Sequence, residues 1–205
     1  PVPVARQARV PSQAAAPAAV PGSLTVATAQ QALQEIQQTP GGVALVTADA
    51  YRNSTVSNTI KDVLDYVPGV FAQPKWGDDT RLSIRGSGLS RNFHLRGVQL
   101  YMDGIPISTA DGYGDFQEID PTAYKYVEVF KGGNALRLGA NSLGGAINFV
   151  TPSGRDPFIN GVSVDAGAFG FRRLQANTGG SNGPWDGFVT ASTQRSDGFR
   201  DHSSG

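Results

Sequence analysis

The chain has 205 residues with 17 basic and 17 acidic side chains, so it carries no net charge, and a nucleic-acid binder, which needs a basic excess, is excluded. It has no cysteine, which removes disulfides, thiolate metal sites and cysteine nucleophiles, and no apolar run approaches the ~18–20 residues of a membrane helix. The 26 glycines and 13 prolines suit short strands and turns.

The chain opens on Pro1 with no apolar leader segment and stops at Gly205 in a Ser/Gly stretch, so both ends are expected to be cut ends. Residues 1–22 are rich in Ala, Pro, Gln and Val, with Arg6 and Arg9 the only charges, and read as a disordered tether. Ser23, Leu24, Thr25, Val26 and Ala27 form a short β-prone island after it. From Thr28 to Gln38, Ala29, Ala32, Leu33 and Ile36 share one helical face, with Thr28 able to cap it and Pro40-Gly41-Gly42 to stop it.

Residues 43–47 (VALVT) read as a buried strand. Ser57 or Asn58 can then cap a helix in which Ile60, Val63, Leu64 and Val67 make one apolar stripe. Pro68-Gly69 ends that helix and Val70-Phe71 begins a strand. Residues 82–86 (LSIRG) read as the next strand, with Arg85 just before a glycine turn. Gly86-Ser87-Gly88 is not a dinucleotide loop, because Arg91 stands where the third glycine belongs, and no Gly-Lys-Ser/Thr ending makes a phosphate cradle. Residues 95–103 form a further strand, and Asp103-Gly104-Ile105-Pro106 is its tight turn, in which Asp103 reads as structural. The loop that follows holds Asp111, Asp115 and Glu118, whose spacing does not fit an EF-hand, so they read as solvated charge.

In residues 127–151, Val127 and Val129 point to one face of a strand, and Glu128 and Phe130 to the other. Lys131-Gly132-Gly133 breaks the strand, Gly139 and Gly144-Gly145 repeat the punctuation, and residues 146–150 alternate again. So much glycine implies close backbone approaches or packing inside something larger. After Pro157 the pattern changes. Val162, Val164 and Ala166 alternate with Ser163, Asp165 and Gly167, and Phe169-Gly170 makes a turn. Leu174 and Ala176 then alternate with Arg173, Gln175 and Asn177, and residues 181–184 turn into a third strand that starts at Trp185. An outer-membrane barrel wall and a soluble antiparallel sheet both show this alternation. Residues 157–205 have room for roughly three or four strands at about 10 residues each.

Enzyme signatures are absent: the two histidines, His94 and His202, lie far apart, and no Gly-x-Ser-x-Gly elbow occurs.

The motifs, in their order, resemble TonB-dependent outer-membrane receptors. The match runs through residues 59–70 (TIKDVLDYVPGV), Ile84-Arg85-Gly86, Asp103-Gly104 with Pro106, Glu128-Val129, Lys131-Gly132, Gly139, Gly144-Gly145, Ile147-Asn148 and Val150-Thr151. Gly133 departs from it, where many members have proline. The resemblance implies an α+β plug domain, a small mixed sheet with short helices, over residues 40–156. The first antiparallel strands of an incomplete outer-membrane β-barrel would follow over 157–205. Residues 23–39 would hold a TonB-box-like segment, Ser23, Leu24, Thr25, Val26 and Ala27, and a switch-helix-like segment. The acidic start usual for that box is replaced here by Gly22-Ser23.

By the same resemblance, Arg85 and Lys131 would lock the plug to barrel glutamates that lie outside this chain. Lys75, Trp76, Arg91, Asn92, Tyr113 and Phe116 would face the ligand from apical loops. The implied function is energy-coupled uptake of a scarce ligand, a ferric siderophore or ferric citrate first. Cobalamin, a nickel chelate or an oligosaccharide are alternative cargoes, and a soluble plug-like binding module is an alternative class. Implied partners are TonB with its inner-membrane energising complex, the ferric chelate and outer-membrane lipid, with no nucleic acid. The protein would be a monomer in the outer membrane of a Gram-negative bacterium, its plug inside the barrel and its N-terminus periplasmic. It would need no cofactor of its own, iron entering only in the chelate. A signalling role is disfavoured, because only low-complexity residues precede Ser23.

Overall fold

The computed structural model describes residues 29–38, 41–52, 59–75, 79–87, 95, 97–109, 111–139, 142–156 and 159–198. The expected tether (1–22), the TonB-box-like residues Ser23 to Ala27 and the cap at Thr28 lie outside the described residues, as do Trp76, Arg91, Asn92, His94 and His202.

The elements follow one another as α1 (Ala29–Gln38), β1 (Val43–Thr47), α2 (Ala48–Arg52), α3 (Ile60–Leu64), β2 (Val70–Pro74), β3 (Thr80–Ile84), β4 (Val98–Met102) and β5 (Ile105–Pro106). A 3-10 turn (Pro121–Ala123) precedes β6 (Tyr126–Lys131), and a longer 3-10 segment (Gly132–Leu138) joins it to β7 (Gly145–Val150). The chain then enters β8 (Gly161–Ala166), β9 (Arg172–Asn182) and β10 (Trp185–Arg195).

Five strands form a mixed sheet in the order β1-β6-β7-β4-β5, with β4 and β7 parallel and the other pairs antiparallel. β2 and β3 form a separate hairpin. One face of the mixed sheet carries the main core, where Val127, Val129, Ile147, Phe149 and Leu100 meet Tyr51, the α3 stripe of Ile60, Val63 and Leu64, and Leu82 and Ile84 of the hairpin. The opposite face carries two small clusters. The longer 3-10 segment covers Tyr101, Phe130 and Ala146 through Ala135, and α1 covers Tyr126 and Val150 through Ala32. Covered on both faces, β7 is buried at every residue, as its small and apolar run, interrupted only by the hydrogen-bonded Asn148, requires.

Several boundaries differ from the sequence reading. β1 is an edge strand with only Val46 buried, because it has a single neighbour, β6, and α1 covers it thinly. On α1 itself Ala32 is buried while Leu33 stays exposed, so the apolar face docks at one point. α3 is capped by Thr59 and not by Ser57 or Asn58: the Asp62 carboxylate accepts the Thr59 N–H at 2.9 Å. Arg85 is not in a strand. β3 ends at Ile84, and Arg85 takes a left-handed φ of 52°, its N–H donating to the Gly69 carbonyl at 2.9 Å. β4 begins at Val98, three residues later than the alternation implied. α2 had no counterpart in the sequence reading.

Glycines 144 and 145 are needed for close approach. A Cβ on Gly145 would stand 2.6 Å from both the Phe130 carbonyl oxygen and Ile84 Cδ1, and one on Gly144 would stand 2.9 Å from the Gly97 carbonyl oxygen.

β8, β9 and β10 form a three-stranded antiparallel sheet beside the α+β unit. Its burial is inverted relative to a soluble sheet. Arg173 and Gln175 are buried, whereas Val162, Val164, Leu174 and Val189 are exposed. A soluble sheet would hide its valines and leucine and leave its glutamine in water. The polar face of this one lies against the α+β unit and the apolar face points away from it. No closed barrel forms among the described residues.

Candidate functional site

Three polar clusters emerge from this arrangement. The first is a pair of cations at the corner where β3 ends and β6 ends. The left-handed turn at Arg85 carries its side chain back across the sheet, so its guanidinium lies over Gly42. A Cβ there would meet Arg85 Nη2 at 2.5 Å and Lys131 Cβ at 3.3 Å. Arg85 Nη1 also lies 3.5 Å from where a Cβ on Gly132 would stand. Lys131 donates from Nζ to the Pro68 carbonyl at 2.7 Å. Burial, and then the neighbouring Arg85 charge, push the Lys131 ammonium below the usual lysine range. Among the described residues neither cation pairs with a carboxylate. The structure therefore brings Arg85 and Lys131 together at one corner and leaves their joint charge without a carboxylate partner among the described residues.

The second site is the junction with the three-stranded sheet, which sequence reasoning missed. Asp120 caps the Pro121–Ala123 turn by accepting the Thr122 N–H at 2.9 Å, and its other oxygen accepts from Ser192 Oγ at 2.6 Å. Burial pushes the Asp120 carboxyl up. The hydrogen bonds from Ser192 and Thr122 and the nearby Arg173 guanidinium outweigh it, holding the group below the usual aspartate range. Gln175 donates from Nε2 to the Thr122 carbonyl at 3.2 Å. Lys125, just before β6, and Asp156, between β7 and β8, pair at 3.2 Å. Asp120-Pro121 is a visible turn signal, but nothing in the sequence points from it to Ser192.

A third cluster lies under α1. Asn148 donates to Glu128 Oε2 at 2.8 Å and accepts the Gly104 N–H at 2.9 Å. Burial raises the Glu128 carboxyl above the usual range, with Asn148 and Arg137 opposing the rise and Glu35 of α1 reinforcing it.

The expected ligand-facing residues fare unevenly. Lys75 closes the β2–β3 hairpin in an ion pair with Asp79 at 2.8 Å and is half-buried. Tyr113 is 37% exposed, in a turn where the Thr109 N–H donates to its carbonyl at 2.9 Å. Phe116 cannot face a ligand: at 4% exposure it belongs to the main core, because its loop folds back onto Leu95, ahead of β4, and the Leu95 N–H donates to the Gly112 carbonyl at 2.8 Å. Lys75 and Tyr113 stand on separate loops, and Trp76, Arg91 and Asn92 lie outside the described residues. Asp103 is structural, as expected. Its carboxylate accepts the Thr151 N–H at 2.8 Å and the Thr151 hydroxyl at 2.7 Å. Among the described residues no group of three or more His, Asp or Glu side chains is placed to hold a metal ion.

The chain resembles known proteins throughout this region. It is 29% identical over 157 residues to the ferric-pyoverdine M114 receptor PbuA of Pseudomonas sp. (strain M114), covering 75% of this chain and 18% of that protein. It is 26% identical over 194 residues to the vitamin B12 transporter BtuB of Photobacterium profundum, covering 93% of this chain and 31% of that one. The chain thus spans less than a third of the length of either relative. Among solved structures, it superposes on the ferripyoverdine receptor of the outer membrane of Pseudomonas aeruginosa with a TM-score of 0.57 at 26% identity, over 78% of this chain and 21% of that one. The ferric enterobactin receptor PfeA of Pseudomonas aeruginosa, at 22% identity over 83% of this chain and 26% of that one, shares the fold with the same TM-score. The family model for the TonB-dependent receptor plug domain matches residues 35–146, from within α1 to the start of β7. The chain belongs to the TonB-dependent receptor plug-domain family.

Proposed function

We propose that this chain is the plug and the first wall strands of an outer-membrane receptor that takes up a scarce chelated ligand, a ferric siderophore first, with energy supplied through TonB. The observation that carries the reading is the inverted three-stranded sheet, whose buried Gln175 and Arg173 face the plug while Val164, Leu174 and Val189 face outward. That is the burial of a barrel wall with lipid outside and a plugged lumen within. Relatives named for ferric pyoverdine and ferric enterobactin support the siderophore class. The relative named for vitamin B12 matches more of this chain, which keeps cobalamin as the second cargo. In either case the protein acts as a gated receptor and not as an enzyme.

Within this reading the Arg85–Lys131 pair meets carboxylates of barrel strands outside this chain and pins the plug to the wall. Residues 23–27 pair with TonB as an added strand, and α1 is the segment through which that pull first reaches the sheet. Lys75, Trp76, Arg91, Asn92 and Tyr113 contribute cationic and aromatic contacts to an anionic chelate.

The test is uptake by cells carrying or lacking the full-length gene, supplied with either ferric siderophores or cyanocobalamin, in the presence and absence of TonB. TonB-dependent accumulation of iron from a siderophore supports the reading. Accumulation of cobalamin alone replaces the cargo, and no TonB-dependent uptake of either removes the transport function.

A further inference from the structure

The outward face of the β8–β10 sheet sorts into rows across the strands. Val164, Leu174 and Thr193 form one row, and Val162, Ala176 and Ala191 the next. Thr178 then stands opposite Val189, and Asn182 opposite Trp185. At the other border, one row beyond Leu174, Arg172 stands directly opposite Arg195, with Ala166 on the far side of Arg172. Both arginines are exposed. Both lie on the outward face, because their neighbours Arg173 and Gln194 point inward, where Arg173 Nη2 donates to Gln194 Oε1 at 2.6 Å. Among the described residues neither Arg172 nor Arg195 has an ion pair.

Two like charges directly opposite on a sheet repel each other. Outward charge on a barrel wall also costs most at the bilayer midplane and little at the interface. The pair's position fits the interface. β9 is 11 residues long, about 35 Å of strand, and a tilt of about 40° makes that roughly 27 Å along the membrane normal, close to the ~25 Å apolar band of such barrels. Arg172 and Arg195 therefore mark one border of the band. The 78% exposed Trp185 marks the other, at the depth where indole rings settle. A guanidinium binds phosphate through paired N–H donors and is weakly hydrated, so one phosphate between the two relieves their repulsion.

We propose that Arg172 and Arg195 form a binding site for the phosphate group of a phosphorylated membrane lipid, whose acyl chains run across the Val164–Leu174 and Val162–Ala176 rows in turn. The proposal rests on reading this sheet as barrel wall.

The experiment is native mass spectrometry of the full-length protein in detergent, titrated separately with phosphatidic acid, with diacylglycerol of the same chains, and with inorganic phosphate. The wild type is expected to retain phosphatidic acid in preference to either of the others. R172A/R195A should weaken that retention by about tenfold or more, and R172K/R195K by less, since lysine keeps the charge but not the fork. Removing opposed like charges relieves repulsion in the sheet, so a melting temperature that does not fall separates lost binding from lost fold. Equal retention by the double alanine variant overturns the proposal, as does inorganic phosphate binding as tightly as the lipid. A nitroxide on L174C in bilayers reads the wall separately. If the label is lipid-exposed and lipid retention is unchanged by R172A/R195A, only the phosphate site falls. If the label contacts water, the wall reading falls and the site with it.

Discussion

Gln175 of β9 donates its side-chain amide to the Thr122 carbonyl at 3.2 Å and to Thr190 Oγ1 at 3.2 Å, while the preceding residue, Leu174, is exposed. The junction between plug and sheet thus rests on directed polar contacts, to which the outward-facing Leu174 contributes nothing. Q175A is expected to destabilise the full-length protein by about 1 kcal/mol, the usual net worth of a buried hydrogen bond with its packing. L174A should change stability in detergent by less than about 0.5 kcal/mol. Denaturant midpoints of the two variants check this. A larger loss for L174A would mean that protein, not lipid or detergent, covers the outward face.

Gly145 opens β7 where Ile84 and the Phe130 carbonyl close in on it, and its backbone φ is ordinary. The restriction there is space alone. G145A puts a methyl group 2.6 Å from a backbone oxygen that cannot swing away, so β6 and β7 must part. The expected cost is about 2–3 kcal/mol, the overpacking range. Gly180, with nothing within 4 Å of an added Cβ, is the matched control, and G180A should be close to neutral. Hydrogen exchange across residues 126–131 and 145–150 should rise for G145A only.

The strands that bracket a turn were legible because turn chemistry is local. Asp103-Gly104 announces where β4 ends and Pro68-Gly69 the turn into β2, although α3 itself stops at Leu64, short of the Val67 the apolar stripe implied, and the period of two fixes the faces of Val127 and Val129. Burial was less legible wherever it depended on distant chain. Val43 to Thr47 are apolar enough for a core strand, yet their place at the sheet edge comes from the β1–β6 pairing. Phe116 sits in a glycine-rich, acidic loop that looks solvated, and only the fold-back onto Leu95 hides it. Five-residue α2 is too short to show a helical period. Alternation in β8 to β10 could not say which face was inside, because a barrel wall and a soluble sheet share the pattern and differ only in what they pack against. The Arg85–Lys131 pair was reachable through motif resemblance, but its geometry depends on a left-handed arginine, which no local signal marks.

Asp103 joins the β4 turn to the end of β7. It holds a φ of 51° while accepting both the N–H and the hydroxyl of Thr151. D103A removes two acceptors and leaves alanine in a left-handed conformation, an expected loss of about 2–4 kcal/mol. D103N keeps one acceptor, and asparagine tolerates that conformation, so the loss should be near 1 kcal/mol. Thermal denaturation of both variants distinguishes the two contributions: equal losses would leave the carboxylate's second oxygen without a role.

Two carboxyls in the plug should respond to pH with opposite signs. Glu128 is held above its ordinary range by burial between β6 and α1, against the donor from Asn148 and the charge of Arg137 and with that of Glu35. The folded state therefore takes up its proton more readily than the unfolded state. The stability it contributes is full below the ordinary glutamate value and is lost as pH rises through the raised one. Asp120 is held below its ordinary range by Ser192, Thr122 and Arg173, despite burial. Its contribution is full above the ordinary aspartate value and is lost as pH falls through the lowered one. Acidification should therefore tighten the sheet face under α1 and loosen the junction at the Pro121–Ala123 turn. Hydrogen exchange of the full-length protein between about pH 2 and pH 7, corrected for intrinsic rates, should show protection of residues 29–38 and 126–131 rising as pH falls toward the ordinary glutamate value, and that of residues 120–124 falling only below the ordinary aspartate value. E128Q should flatten the first trend without touching the second, and D120N the reverse. If both segments moved together in each variant, global unfolding and not these two carboxyls would govern the response.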